Sequence, residues 1–397
     1  RSKDIPLGLS LPSEALMILV TMIFLARVIY DLRLDRKFLR HPLSVAILVY
    51  LGWMLITCLT SVRPVISLKF LISKVWFITP CYWFFMQMVN DDLRNAVRYF
   101  NCYAVGLSVI VLIVTYRHAL SGFDEHYAHY VMSPFYNDHT AYGAALAVYI
   151  VFCASYLFMP NVKKIKRLGV IMVLCILIVA LILSFCRASW ISLIAAFGVL
   201  ICVLLKIKFK YIAAVSVIFI GLFFSFQQQI LDSLAKNDQD ASGNIVENIQ
   251  SMTNISTDAS NLERLNRWSS AIRMFNERPV VGWGPGTYQF MYAPFQESKN
   301  LTIISTNTGD MGNAHSEYIG PLAEQGLPGS LIVVSLVIVF MYCGLMTYRK
   351  ARNRESKVLV LGATLALLGY FIHGILNNFL DTDKLAVPIC SSMAIIT

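Results

Sequence analysis

The chain has 397 residues, 57% of them hydrophobic and 14% charged, with a formal net charge of +10 and a mean hydropathy of +0.63. Such a composition belongs to an integral membrane protein and excludes a soluble core. The positive excess needs no nucleic-acid partner, because it follows the alternation of loops described below.

Apolar stretches long enough to cross a hydrocarbon core of about 30 Å as helix recur from end to end. In chain order the expected spans are 13–30, 43–60, 66–89, 99–117, 140–159, 168–185, 188–205, 211–226, 328–347, 358–380 and an incomplete 385–397. The fold class is therefore all-α and polytopic, with about eleven visible transmembrane helices. Three regions follow: residues 1–226 with about eight spans, a polar segment 227–327, and residues 328–397 with about three spans.

Lysine and arginine set the orientation, since basic loops are retained in the cytoplasm. Alternate loops carry Arg33, Arg36, Lys37 and Arg40; Arg94 and Arg98; Lys163, Lys164, Lys166 and Arg167; Lys206, Lys208 and Lys210; and Arg349, Lys350, Arg352, Arg354 and Lys357. These are inside loops, and strict alternation puts segment 227–327 outside, together with His118, His126, His129, His139 and His373. With this parity Arg1 falls outside and the last apolar run is cut short, so about twelve spans are expected in a full protein. The nine cysteines lie in or at the ends of apolar spans and form neither a disulfide framework nor a CxxC metal pair.

Within the polar segment, residues 227–262 are rich in Asn, Asp, Ser and Gln and read as a mobile approach. Ser260 and Glu263 fit a capping box, and Leu265, Trp268, Ile272 and Phe275 recur at helical spacing, which predicts an amphipathic helix over 260–277. Arg264 and Arg267 share one face near its start, where cations oppose the helix dipole but strengthen an anion site. The same two residues also fit a solvated face or lipid headgroup contacts. The turn Gly282-Trp283-Gly284-Pro285-Gly286 fits a tight turn needing positive φ better than a phosphate cradle. A second short helix is predicted over 314–325, started by Asn313 and ended by Gly326, with His315 in its first turn.

Candidate chemistry rests on few residues. His315 has the intrinsic basicity of a general base at neutral pH, although a lone histidine is as readily a structural hydrogen-bonded residue. No H-x-x-x-H or H-x-x-E-H pair makes it a zinc ligand. Arg187, between two spans, is costly at a membrane boundary unless it snorkels or binds an anion.

Together these parts resemble the O-antigen ligase and polymerase family of bacterial envelope glycosyltransferases. The carriers are Asn137-Asp138-His139-Thr140-Ala141-Tyr142-Gly143, Ser184-x-x-Arg187-x-x-Trp190, Arg264-Leu265-x-x-Trp268 followed by Pro279-Val280-Val281-Gly282-x-Gly284-x-Gly286, and His315-Ser316 followed by Glu324-Gln325-Gly326-Leu327-Pro328-Gly329. The likeness extends from about Pro134 to Pro388. Two departures stand out: Ser316 occupies a position where many relatives have Asn, and Cys186 precedes Arg187 where a small or polar residue is common.

The resemblance implies a GT-C-like fold and a metal-independent transferase without cofactor, working as a monomer on the periplasmic face of the bacterial inner membrane. It implies a donor glycan on undecaprenyl diphosphate and an acceptor hydroxyl on lipid A–core, or on a second lipid-linked glycan in a polymerase. Related enzymes glycosylate protein hydroxyls. On matching positions His315 is the base that activates the acceptor, and Arg187 and Arg264 hold the donor diphosphate. Arg267 and Lys74 are further phosphate candidates, with snorkelling or pairing the alternative for Lys74, and His139 and His373 are cavity candidates. The set Arg187, Arg264 and His315, with one large outer segment towards the carboxyl side, favours a ligase. An anionic-lipid transporter or flippase is the rival from another class, expected to show buried charges and broken helices at mid-membrane.

Overall fold

A computed structural model describes residues 13–31, 36–207, 259–298, 301, 305 and 312–397. The expected span 211–226, the expected approach up to residue 258, Arg33, Lys208 and Lys210 lie outside the described residues.

The described residues are helical and contain no strand. The long helices are α1 (Ser13–Asp31), α2 (Pro42–Leu59), α3 (Pro64–Asp91), α4 (Arg94–Leu120), α5 (His139–Tyr156), α6 (Lys164–Leu183), α7 (Arg187–Leu204), α8 (Ala259–Glu277), α9 (Ile319–Lys350), α10 (Arg354–His373) and α11 (Asp383–Ile396). Eight of them are long and apolar enough to cross a membrane: α2 to α7, α9 and α10. The chain is a polytopic helical membrane protein, as its composition requires. α1 and α11 coincide with the first and last expected spans, but their apolar lengths fall below that standard.

Local chemistry explains the helix starts. Proline opens α2 and α3, where its missing N–H costs nothing, and His41 caps α2. Asp138 caps α5 by accepting from Ala141 N at 2.7 Å, and Asn353 caps α10 by accepting from Ser356 N at 2.8 Å. Within α3 a π-helical stretch over Thr79–Phe84 surrounds Pro80, which has no amide hydrogen to donate to the preceding turn.

α5 and α10 are the most enclosed spans and form the centre of the bundle. Small residues let their neighbours approach closely. A Cβ on Gly143 of α5 would lie 2.7 Å from Cys186 Cβ, one on Gly362 of α10 would lie 2.8 Å from Ser155 Oγ, and one on Gly344 of α9 would collide with Thr364. Phe340 and Phe371 stack between α9 and α10, and Tyr103 and Tyr149 between α4 and α5, with centroids 5.2 and 4.3 Å apart. All nine cysteines are free thiols.

Three expectations about elements need correction. The span expected over 358–380 ends at His373, where Gly374 caps it. Residues beyond Gly374 are not continued as helix because Glu317 takes the Phe379 and Leu380 amides. The helix expected over 314–325 is instead the first turns of α9, which starts at Ile319 and is broken at Gly326, with φ of 70°. His315 therefore precedes the helix rather than sitting in its first turn. Asn313 Oδ1 accepts from His315 N at 3.0 Å, a local turn, and Ser316 Oγ accepts from the Tyr318 and Ile319 amides in the role assigned to Asn313.

The third correction concerns α8. Ser260 lies inside the helix, which already runs from Ala259, so it is not the cap. The buried stripe is Glu263, Asn266, Arg267, Ser270, Ala271 and Met274, while Ile272, assigned to the apolar face, is exposed. The helix turns its polar face inward because polar partners wait there, described next.

Candidate active site

The N-terminal ends of α5 and α7 and the C-terminal end of α10 meet in one place, and the polar segment reaches them through Arg264. At the end of α10, His373 is 1% exposed, and its Nε2 lies 3.8 Å from Cys186 Sγ in the turn before α7. The same sulfur faces the Thr140 carbonyl on α5, at 4.0 Å, and receives the Ser189 hydroxyl at 3.0 Å. Burial pushes the Cys186 thiol up, so it is not a thiolate. Arg187 is the next residue and the first of α7, and it is partly buried. Among the described residues no side-chain cap is bonded to this helix start, and Arg187 together with the helix dipole makes it a positive corner. Asp138, the cap of α5, supplies the negative charge nearby that bears on both His315 and Cys186.

α8 closes this corner from the side of the polar segment. Arg264 Nε donates to the Leu376 carbonyl at 3.1 Å, just beyond α10. Arg267, one turn on, is 5% exposed and is fixed inside the segment. Its Nε donates to Glu263 Oε1 at 2.5 Å, and its guanidinium lies 4.3 Å from the centroid of Tyr292. Glu263 also accepts from the Ser305 hydroxyl. The two arginines, expected to act alike, thus differ: Arg264 reaches to the membrane helices, while Arg267 is tied into the segment's own core.

His315 sits between these groups in a left-handed bend, with φ of 47°. Histidine enters this region more readily than β-branched residues, but at an energetic cost that the surroundings must meet. No described residue hydrogen-bonds its imidazole. Burial, then Arg264, then Arg267 push its pKa down to about 4, against the opposing pull of Asp138 and Glu263. The ring is consequently neutral at physiological pH, the state in which it can accept a proton.

Glu317 holds the histidine stretch against the bundle. Its amide donates to the Gly374 carbonyl at 2.8 Å, and its Oε1 accepts from Tyr370 Oη at 2.5 Å, Phe379 N at 2.9 Å and Leu380 N at 3.0 Å. Burial raises the Glu317 carboxyl above its usual range. Lys74 lies on the other side of this latch, bonded to Asp381 Oδ1 at 2.7 Å and the Leu380 carbonyl at 2.9 Å. It is a paired cation away from the Arg264 corner. His139, the first residue of α5, stacks on His129 of the α4–α5 loop at 4.1 Å between centroids.

The glycine turn is structural. Gly282, Gly284 and Gly286 all have positive φ. The amides of Gly282, Trp283 and Gly284 donate to Arg278 O, Ala323 O and Glu324 O, and the Tyr288 amide donates to Glu324 Oε1 at 2.9 Å. The Gly282 amide thus closes the turn after α8 and the other three serve α9, so none of the four is left for an anion. The turn also docks on the α2–α3 loop, where Val62 N donates to Trp283 O at 3.1 Å.

The structure thus brings Arg187, Arg264, His315 and His373 to one place, and Arg267 to its edge, while sequence reasoning names them separately. That reasoning missed Asp138, Glu263 and Glu317 as parts of the site. Asp138 is signalled by the Asn-Asp-His opening of α5; nothing local signals Glu317, whose partners are more than 50 positions away. Among the described residues no group of three or more His, Cys, Asp or Glu side chains is arranged to hold a metal ion.

Residues 170–334 match the protein-family model described as O-antigen ligase. Over this segment the chain is similar to the O-antigen ligase family. Its members are glycosyltransferase-like enzymes of O-antigen processing. The match is narrower than the likeness read from Pro134 to Pro388, and includes Arg187, Arg264, Arg267 and His315 while leaving Lys74, His139 and His373 outside. No curated protein matches the chain.

Proposed function

We propose that the protein is an O-antigen ligase of the bacterial inner membrane, transferring polysaccharide from undecaprenyl diphosphate to a sugar hydroxyl of lipid A–core on the periplasmic face, with inversion and without a metal. The observation that carries this reading is a neutral His315 held beside Arg264 at the positive corner that begins with Arg187. In the reaction His315 takes the proton of the acceptor hydroxyl as that oxygen bonds to the anomeric carbon. The bond from that carbon to the diphosphate oxygen breaks, and its electron pair leaves with the diphosphate. Arg264 and Arg187, aided by the positive end of the α7 dipole, stabilise the charge that develops there. Asp138 favours the imidazolium that forms. Arg267 acts at a distance, through its charge and by fixing α8. Lys74, paired with Asp381, is a weaker phosphate candidate than Arg264.

The test is His315→Ala in a strain lacking the native activity, with envelope glycolipids separated by gel. Long lipid-linked polymer should persist while polymer on lipid A–core disappears. Collapse of the polymer to single repeats identifies a polymerase, loss of glycan from protein alone identifies a protein glycosyltransferase, and normal glycolipid refutes the role of His315.

A further inference from the structure

A cavity of about 260 Å³ opens beside the 313–317 stretch, and none of Arg187, Arg264 and Arg267 lines it. Asn313, Ala314, Ser316 and Glu317 line it, whereas His315 does not. The left-handed backbone at His315 is the reason: it turns that one side chain away from the face its neighbours share. One short stretch of chain thus presents its histidine to one compartment and its flanking residues to another.

The chemistry of the two compartments is opposite. The cavity wall carries the carboxylates of Glu317, Glu324 and Asp381, and its one cation, Lys74, is bonded to Asp381 at 2.7 Å. With that cation committed to Asp381, no lining residue offers a diphosphate an unpaired positive charge. Acceptor oxygens remain: Glu317 uses Oε1 for its described hydrogen bonds, leaving Oε2 without a described donor. Gln325 is 1% exposed and its side-chain oxygen has no hydrogen-bond partner among the described residues. A buried oxygen of that kind is costly unless a ligand or water donates to it. The rings of Tyr50 and Phe70 also contribute to the wall, beside these oxygens. Buried carbonyl and carboxylate oxygens suit a ligand with many O–H donors, and aromatic rings suit its C–H faces.

We propose that this cavity is a saccharide subsite, taking a neutral, hydroxyl-rich sugar ring of a glycan substrate while the diphosphate stays at the arginine corner. The assignment of that sugar to a glycosyl-transfer substrate rests on the ligase reading above. His315 then stands on the partition between a sugar compartment and a phosphate compartment.

The test uses the full chain in lipid nanodiscs and three probes: the oligosaccharide released by mild acid from lipid A–core of the producing cell, the glycan released from its lipid-linked donor, and undecaprenyl diphosphate. Gln325→Leu removes the unpartnered oxygen, and Gln289→Trp obstructs the lining from a half-buried position. Both variants should weaken one of the two saccharides by about tenfold or more and leave undecaprenyl diphosphate within about twofold. The weakened saccharide tells whether acceptor or donor sugar occupies the cavity. Wild-type protein that binds neither saccharide, or variants that bind both unchanged, would overturn the proposal, as would loss of the diphosphate lipid in Gln325→Leu. If saccharide binding is lost as expected but undecaprenyl diphosphate fails to bind the wild type, the ligase reading falls and the cavity assignment stands.

Discussion

Replacing Arg264 by Gln tests whether the arginine corner and His315 form one electrostatic unit. The His315 pKa falls from 6.5 to about 4, which corresponds to roughly 3 kcal/mol between its protonation states. Burial is the largest cause and Arg264 the next. A base must be unprotonated to act, so kcat/KM should be full above this pKa and decline as pH falls through about 4 in the wild type. Removing the Arg264 charge relieves part of the depression and moves the acidic limb upward by about one pH unit, towards the ordinary histidine value. Initial rates of glycan transfer at low substrate concentration, measured from acid to neutral pH in nanodiscs, give the limb directly. The same variant should also bind donor more weakly, which lowers kcat/KM at every pH without moving the limb. A wild-type limb at the ordinary histidine position, or a limb that stays put or moves down in Arg264→Gln, would refute the coupling.

Further outcomes follow from the packing. Because burial and nearby cations depress His315, the unfolded chain binds the extra proton between the two pKa values, so its contribution to stability should fall as pH drops from 6.5 towards 4. His315→Asn should flatten that part of a thermal-melting profile. Glu317→Ala removes the acceptor of Tyr370 Oη and of two backbone amides, and should cost about 2 to 4 kcal/mol; an unchanged Tm in detergent would contradict the latch. Gly326→Ala places a Cβ against the Val280 carbonyl at a φ of 70° and should cost at least about 1 to 3 kcal/mol. Gly52 has open space around it, so Gly52→Ala should be neutral or slightly stabilising by the same measurement. Lys74→Met should leave undecaprenyl diphosphate affinity within about twofold, whereas Arg264→Ala should weaken it about tenfold or more, as expected when a charge-assisted bond is lost; the reverse order would return Lys74 to the phosphate site.

The sequence by itself determined the membrane architecture and the residue types of the site. Apolar runs such as 43–60 and 168–185 must leave water wherever they fall in the chain, so their helices can be read locally, and α2 and α6 lie close to where they were expected. Loop charges put His139 and His373 on the same expected side of the membrane, but not in contact with one another. What only the tertiary structure decided depends on partners far apart in the chain. Hydrophobic periodicity put Ile272 inward on α8, but the helix buries Glu263, Asn266 and Arg267 because Tyr292 and Ser305 offer them partners. Asn313 and Gly326 signalled a helix that contained His315, yet Ser316 starts it later and leaves His315 in a left-handed bend. Lys74 read as a possible phosphate ligand until Asp381, more than 300 positions away, neutralised it. Partition into a membrane is a property of each segment's own composition, whereas the ionisation and direction of a polar side chain are set by whatever the fold brings against it.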